Sequence, residues 1–312
     1  MKRLGVIGSM VWDTIYGRDA AQPAIEEWGG IAYALAALDA TLADDWEIVP
    51  LVKVGRDLAP RANAFLRGLR RRARDALFIE VPEPNNRVTL RYVSQERRCE
   101  RMAGGVPPWT WPELGPLVPD LDALYVNFIS GFELTLETAR LLRRSFPRFL
   151  YADLHSLFLG TASDGTRFPQ PLPAEAAWLE CFDVVQLNEE EMGQLGGDPL
   201  AVAAGALAQG CRALCVTLAS RGVAYFERQP TVGGDTAPIR AARIAPEPGW
   251  AIADGDPTGC GDVFGAAAAA ALLGGATLED ALREATRLAA RNVGFRGASG
   301  LRDHLLGRLP TS

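Results

Sequence analysis

The sequence predicts an α/β protein, a three-layer sandwich in which a mostly parallel central sheet is covered by helices on both faces. Three observations carry this. Short, near-continuous apolar runs recur along the chain, among them LGVIGS (4–9), ALYVNF (123–128) and ALCVTL (213–218); runs without polar alternation suit strands buried on both faces, the habit of parallel sheets under helices. Helical patterns such as IAYALAALDA (31–40) and LEDALREATRLAARNVG (278–294) fall between many of them, which is the rhythm of a layered α/β structure. The chain has 312 residues, 48% apolar and 22% charged, a globular profile long enough for a large core. Length alone allows two domains of ~100–200 residues or one large layered unit.

In chain order, LGVIGS is the first strand, and IYGRDAAQPAIEEW (15–28) follows it, long for a connection into the helix at 31–40. IVPLVKV (48–54) is the next strand and LAPRANAFLRGLRR (58–71) the next helix. NRVTLRYVSQERR (86–98) breaks the rhythm by alternating apolar and polar positions, as a strand with one exposed face does. These two irregular stretches, about 14–28 and 85–100, suit a small β-lid over the end of the sheet and equally a pair of surface excursions. Segments 103–120 and 160–175, rich in Pro and Gly, read as long loops. Strands RFLYAD (148–153), DVVQL (183–187) and GVAYF (222–226) complete the sheet with ALYVNF and ALCVTL. LTLETARLLRRS (134–145), LAVAAGALAQG (200–210) and the alanine run after Gly261 supply further helices, and no internal repeat is visible.

Composition excludes several functions. A net charge of −6 and a pI near 5.2 argue against a broad nucleic-acid surface. The one basic run, RGLRRRARD (67–75), reads as a solvated helix face. Five scattered cysteines (Cys99, Cys181, Cys211, Cys215, Cys260) suit reduced thiols rather than a disulfide framework. Lys2 and Lys53 are the only lysines, so a Walker A loop is excluded and a lysine Schiff base has little support. With two histidines, His155 and His304, far apart and no C-x-x-C, a zinc site has little support either. MKRLGVIGSMVWD carries no signal-peptide pattern, and no segment reaches the ~18 apolar residues of a membrane helix. The expectation is a cytoplasmic protein with no nucleic-acid or membrane partner.

The stretch DGDPTGCGDVFGAAAAAALLGG (254–275) holds more glycines and acids than a turn into a helix requires. Gly259 and Gly261 let backbone N–H groups approach a ligand, and the helix that begins there presents its positive end to an anion such as phosphate. Ala266 to Ala271 let the helix pack closely on a sheet. Asp262 is out of place beside a phosphate unless it removes a proton from an attacking hydroxyl; read blandly, it is a first-turn partner of the helix dipole.

D-P-T-G-C-G-D followed by V-F-G-A closely resembles the D-x-x-G-x-G-D signature of the ribokinase-like (PfkB) family of carbohydrate kinases. Weaker marks recur in that family's order along nearly the whole chain: VIGSMVWD ending in Asp13, the Gly29–Gly30 pair of WGGIAYALA, VGRD (54–57), LNEEE with Asn188 and Glu191, and TLASRG (217–222). The resemblance implies a single ribokinase-like, Rossmann-like kinase domain over 1–312 with a small β-lid. It implies an ATP-dependent, Mg²⁺-assisted transfer of the γ-phosphoryl to a hydroxyl of a sugar, nucleoside or related alcohol.

Residue by residue, the resemblance makes Asp262 the base and the backbone of Gly259, Cys260 and Gly261 the anion hole. Asp13, Gly29 and Gly30 would hold the acceptor, with Asp153 at a strand end beside the phosphate or metal. Thr217, Ala219, Gly222 and Thr258 would lie beside the nucleotide. Asn188 and Glu191 would organise Mg²⁺ and its waters, and Asp256 a monovalent cation such as K⁺, used by some relatives. Read alone, Asn188 and Glu191 are a helix cap with an acidic first turn, and Asp13 and the glycines a turn and a helix entry. His155 reads as structural. A homodimer through the lid is an arrangement known among relatives. The chain departs from the family at Ala34, where many members have asparagine, at Cys260 for alanine and at Ala219 for glycine. The competing reading is a catalytically silent nucleotide- or sugar-binding protein of the same fold. A dinucleotide-dependent dehydrogenase is disfavoured, because VIGSMVWD stands where G-x-G-x-x-G belongs.

Overall fold

The structure, a computed structural model, describes residues 1–16, 23–92, 98–229, 238–247, 250 and 255–309. Residues 17–22 and 93–97, within the two stretches expected to form a lid, and Asp254 of the glycine-rich stretch lie outside the described residues. An eight-stranded sheet runs in the order Ile239–Ile244, Val223–Arg228, Ala213–Thr217, Val184–Asn188, Phe149–Asp153, Ala123–Asn127, Lys2–Ile7, Trp46–Leu51. From Trp46–Leu51 to Ala213–Thr217 every pairing is parallel. Val223–Arg228 and Ile239–Ile244 extend the other edge antiparallel.

Alternation along these strands feeds two cores, one on each face. Leu4, Val6, Tyr125 and Tyr151 pack with the helices Ile31–Thr41, Ala59–Gly68, Cys260–Leu273 and Leu278–Asn292. Ile7, Leu124, Val126 and Leu150 pack with Leu136–Ser145, Glu175–Leu179 and Pro199–Ala208. The three-layer arrangement expected from the apolar runs is therefore present. The alanines allow a close approach, since Ala266 to Ala270 are all buried. At Gly265 even a methyl would lie 2.5 Å from Gln186 Oε1 and 2.7 Å from the Tyr125 hydroxyl. This helix therefore packs directly on the face of the sheet, against the middle of Ala123–Asn127 and Val184–Asn188.

A second, four-stranded sheet runs Ile25–Gly30, Met10–Tyr16, Arg87–Tyr92, Arg98–Ala103. Two of its strands were not visible as periodic runs, because MVWDTIY continues the first apolar strand almost without a break and IEEWGG has no apolar period. Val11, Ile15, Val88 and Leu90 cluster on one face. On the other, Trp12 stands directly opposite Trp28 with the rings edge to face at 5.1 Å, and the Arg61 guanidinium lies over Trp12. Asp57 of the VGRD stretch ties this sheet to the main body by accepting from Asn85 N–H at 2.8 Å and from Arg87 at 2.8 Å.

The basic run is not a helix face. The helix ends at Gly68; beyond it Arg71 and Arg72 turn back onto main-chain carbonyls, while Arg70 and Arg74 stay exposed. Arg72 donates to the carbonyls of Leu66 and Ala73 and to that of Ala76, while Arg71 N–H reaches the buried Asp39 carboxylate at 2.7 Å. A row of charges has the same composition in either role, so the sequence could not separate them. The two Pro/Gly-rich stretches also hold short elements, the helix Trp111–Leu114 and the hairpin of Leu159–Thr161 with Arg167–Pro169. The described cysteines are free thiols; burial pushes Cys211 up to about 12 and Cys215 higher still, as inert core residues.

Candidate active site

The carboxyl ends of the parallel strands, the first turn of Cys260–Leu273 and the inner face of the small sheet enclose a cavity of about 450 Å³. This is where open α/β sheets place ligands. Asp13, Gly30, Asp153, Asn188, Glu191, Thr217, Ala219, Thr258, Gly259, Gly261 and Asp262 all line it. Gly29, Cys260, Gly222 and Asp256 are not among its lining residues.

The turn that opens the helix is built by side chains behind it. Asp256 Oδ1 accepts the Thr258 N–H at 2.9 Å, and Asn292 Nδ2 holds the Thr258 carbonyl at 2.9 Å. Gly259 caps the helix with φ of 78°, a conformation that suits glycine, and a Cβ there would lie 2.3 Å from the Tyr33 ring. Cys260 points into the core, with its Sγ 3.4 Å from the Ala289 carbonyl; burial pushes the thiol up to about 12. Its N–H goes to the Pro257 carbonyl at 3.2 Å. At Gly261 a Cβ would meet nothing nearer than Gln186 Nε2 at 3.9 Å, so this backbone faces open space in the cavity. Asp262 sits in the same first turn, and its Oδ1 accepts a hydrogen bond from Asn127 Nδ2 at 2.7 Å.

The other carboxylates converge from separate elements. Asp13 is buried on the small sheet, and Gly29 makes room for it: a Cβ at Gly29 would lie 1.8 Å from Asp13 Oδ2. Gly29 thus serves the site from behind the carboxylate. Gly30 has φ of 56° and starts the next helix against Ser9 and Ile129. Asp153 ends its strand between Asn127 and Gln186, its register partners. Its Oδ2 accepts from Gln186 Nε2 at 2.8 Å, and the same Nε2 lies 3.1 Å from the Gly261 carbonyl. Burial pushes the Asp153 carboxyl well above its ordinary range, against the pull of His155 and with the charges of Glu191 and Asp262 adding to the rise. The Tyr33 phenol is likewise raised, by burial and then by the charges of Asp13, Asp256 and Asp262, which places these acids around one ring.

Asn188 and Glu191 form a reciprocal capping box: Asn188 Oδ1 accepts Glu191 N–H at 2.9 Å, and Glu191 Oε2 accepts Asn188 N–H at 2.8 Å. Glu191 Oε1 also meets His155 Nδ1 at 2.9 Å. His155 also lines the cavity, at the strand end that carries Asp153. Thr217 bonds the Leu187 carbonyl at 3.3 Å. Ala219 holds φ of 51°, which explains why glycine suits this position better. Gly222 lies behind, its missing Cβ leaving room for the Ile244 carbonyl, which would be 2.0 Å away. Ala34 is fully buried, and its neighbour Tyr33 faces the cavity instead. Sequence reasoning also missed Asn127 and Gln186; the available signal was a polar residue near the end of an otherwise apolar strand.

The profile of the pfkB family carbohydrate kinases matches residues 165–304. Comparison with curated protein sequences gives no match. Among solved structures, the chain is similar to a pyrophosphate-dependent kinase in the ribokinase family complexed with a pyrophosphate analog and myo-inositol, with a TM-score of 0.73 and 17% identity over 98% of this chain and 100% of that one. A ribokinase from Thermotoga maritima matches with a TM-score of 0.70 and 18% identity, 99% of each chain covered. Arabidopsis thaliana ribokinase complexed with ribose and ATP gives 0.69 and 19%, with 100% of this chain and 99% of that one covered. At these identities the likeness is one of fold.

Proposed function

We infer, from a chain that matches the pfkB carbohydrate kinase family over residues 165–304 and has the ribokinase-like fold throughout, that it is a small-molecule kinase. It transfers the γ-phosphoryl of ATP to a hydroxyl of a sugar, nucleoside or related alcohol. The observation that carries this reading is the placement of Asp262 beside the backbone of Gly259 and Gly261 in one cavity, with Asp13 approaching from the small sheet. An acid in a helix's first turn also steadies the helix dipole, but one that lines the cavity beside the Gly261 backbone is placed to take a proton from an attacking hydroxyl.

In this reading Asp13 receives acceptor hydroxyls and the small sheet closes over them as the lid of a single domain. Asp262 takes the proton from the attacking hydroxyl as the oxygen–phosphorus bond forms, and the bond to the leaving nucleoside diphosphate breaks. The helix amino terminus and the Gly261 backbone stabilise the charge on the transferring group, so positioning and electrostatics supply the rate enhancement. Thr217, Ala219 and Thr258 border the donor end. Mg²⁺, when bound, neutralises donor phosphate charge. The oxygen-rich set of Asn188, Glu191 and Asp153 suits such a hard cation, although no group of three His, Cys, Asp or Glu side chains that could hold an ion is present among the described residues. An ion that retains its waters fits both facts. Asp256 shapes its loop and would face a monovalent cation through that loop.

The test is a panel of sugars, nucleosides and polyols with ATP and, separately, pyrophosphate as donors, scored by phosphorylated product. Asp262→Asn is expected to cut turnover by about 10²–10⁴ while donor binding persists. Full activity in that variant, or tight ligand binding with no product from any acceptor, refutes the kinase reading.

A further inference from the structure

Asn127 is fully buried at the end of an apolar strand where packing alone has no need of an amide. We propose that Asn127 is a positioning residue for Asp262, its side-chain N–H fixing the carboxylate in the cavity and favouring its ionised form. This rests on the reading of Asp262 as the base.

The contact between Asn127 Nδ2 and Asp262 Oδ1 is 2.7 Å, the short separation of a charge-assisted hydrogen bond. The amide's other contact, to the Tyr125 hydroxyl, is long at 3.4 Å. Its Oδ1 is buried and meets no donor among the described residues. A buried amide satisfied at one end only is a liability for stability, so its contribution lies in the donation to Asp262. Register does the placing. Asn127 stands beside Asp153, and Asp153 beside Gln186, on three adjacent parallel strands. Gln186 holds the carbonyl of Gly261 at 3.1 Å while Asn127 holds the side chain of the next residue. Two amides on the strands, Asn127 at a strand end and Gln186 within its strand, thus grip consecutive residues of the turn, and that grip sets where the carboxylate points.

The surroundings give the donor its importance. Tyr33 from the first helix, Tyr125 and Asp153 from the sheet, and Cys260 and Asp256 from the turn all share electrostatic contact or a common neighbour with Asp262. Asp13 from the small sheet and Glu191 with His155 from the far side belong to the same neighbourhood among the described residues. Acids dominate it, and His155 is already paired with Glu191. A neutral donor at hydrogen-bond distance favours a charged carboxylate here without adding a cation that would compete for phosphate.

The experiment compares wild type, Asn127→Leu and Asn127→Asp. In Asn127→Leu, kcat should fall by about 10–100-fold with acceptor KM nearly unchanged, and the acidic limb of the kcat/KM profile should move up by about one pH unit. Asn127→Asp should move it further, since a like charge replaces the donor. Melting of the leucine variant should stay within roughly 3 °C of wild type. Titration of the Asp262 carboxyl by ¹³C NMR in the ligand-free proteins, assigned by its loss in Asp262→Asn, reads the same shift without catalysis. An unmoved acidic limb and an unmoved titration overturn the proposal, as does a loss of activity explained by lost thermal stability. If wild type phosphorylates nothing in the panel, the kinase reading fails; the carboxyl titration then decides the Asn127 contact alone, a shift supporting it and no shift overturning it.

Discussion

Gly29→Ala tests the proposed acceptor side of the site with a single methyl. Gly29 is not among the residues with positive φ, so alanine brings no backbone strain, and the strand around it tolerates a Cβ. The cost is steric and specific: the new Cβ would lie 1.8 Å from Asp13 Oδ2 and 2.3 Å from its Cγ. Ordinary contact needs ~3.5 Å, so the carboxylate must retreat by about 1.7 Å or leave its rotamer. A displacement of ~1 Å at a positioning group costs about 100-fold, which predicts a fall in acceptor kcat/KM of at least 10²-fold, or about 2.7 kcal/mol of transition-state stabilisation. Overpacking should also take ~1–3 kcal/mol from folding stability. The assay is steady-state phosphorylation with acceptor varied at saturating donor, beside donor binding measured alone, which should be unaffected. The control is a double-mutant cycle with Asp13→Ala: once the carboxylate is gone, the methyl has nothing to strike and should cost little further. If Gly29→Ala keeps kcat/KM within twofold, or costs the same with and without Asp13, the steric argument and the place of Asp13 in the acceptor site both fall.

Gly259→Ala should damage the turn itself, because it combines the ~1–2 kcal/mol cost of φ at 78° with a Cβ 2.3 Å from the Tyr33 ring. Expression, melting temperature and activity should all fall together, and a stable, fully active variant would count against this geometry. A pH effect is expected far from the site, at Glu113. Burial alone would raise its carboxyl, but hydrogen bonds from Lys53 and Thr110 prevail and hold it at about 2 against an ordinary 4.5. A carboxyl lowered in the fold contributes stability that is complete above the unfolded value and is lost as pH falls towards the folded one. The melting difference between wild type and Glu113→Gln should therefore be constant above pH ~4.5 and shrink between about 4.5 and 2. Because Glu113 is partly exposed, solvent screening keeps that difference modest; a difference that grows on acidification would contradict the pairing.

How far the sequence led depended on whether a feature was local. The glycine-rich turn and its alanine helix were legible because their requirements are written in consecutive residues: Gly259 for its φ, Gly261 for an open approach, small residues for packing on the sheet. Strands buried on both faces announced themselves as apolar runs, and six of them pair in parallel as such runs should. The basic run misled because arginines that solvate a helix and arginines that tie down loop carbonyls have one composition; only the helix end at Gly68 separates the two uses.

Asn127 and Gln186 were hidden for a different reason. Each is an unremarked polar residue in an apolar strand, and neither has meaning until register sets it beside Asp153 under a helix that begins more than 70 residues later in the chain. The same separation accounts for the division of labour in the site. In the proposed reading the turn carries the local chemistry, which a short motif can preserve, whereas its aim depends on contacts from the sheet that no motif contains. A change at a strand end can therefore alter the reach or ionisation of Asp262 while GDPTGCGDVF stays intact, and an intact motif alone is weaker grounds for activity than the motif together with the two amides that hold it.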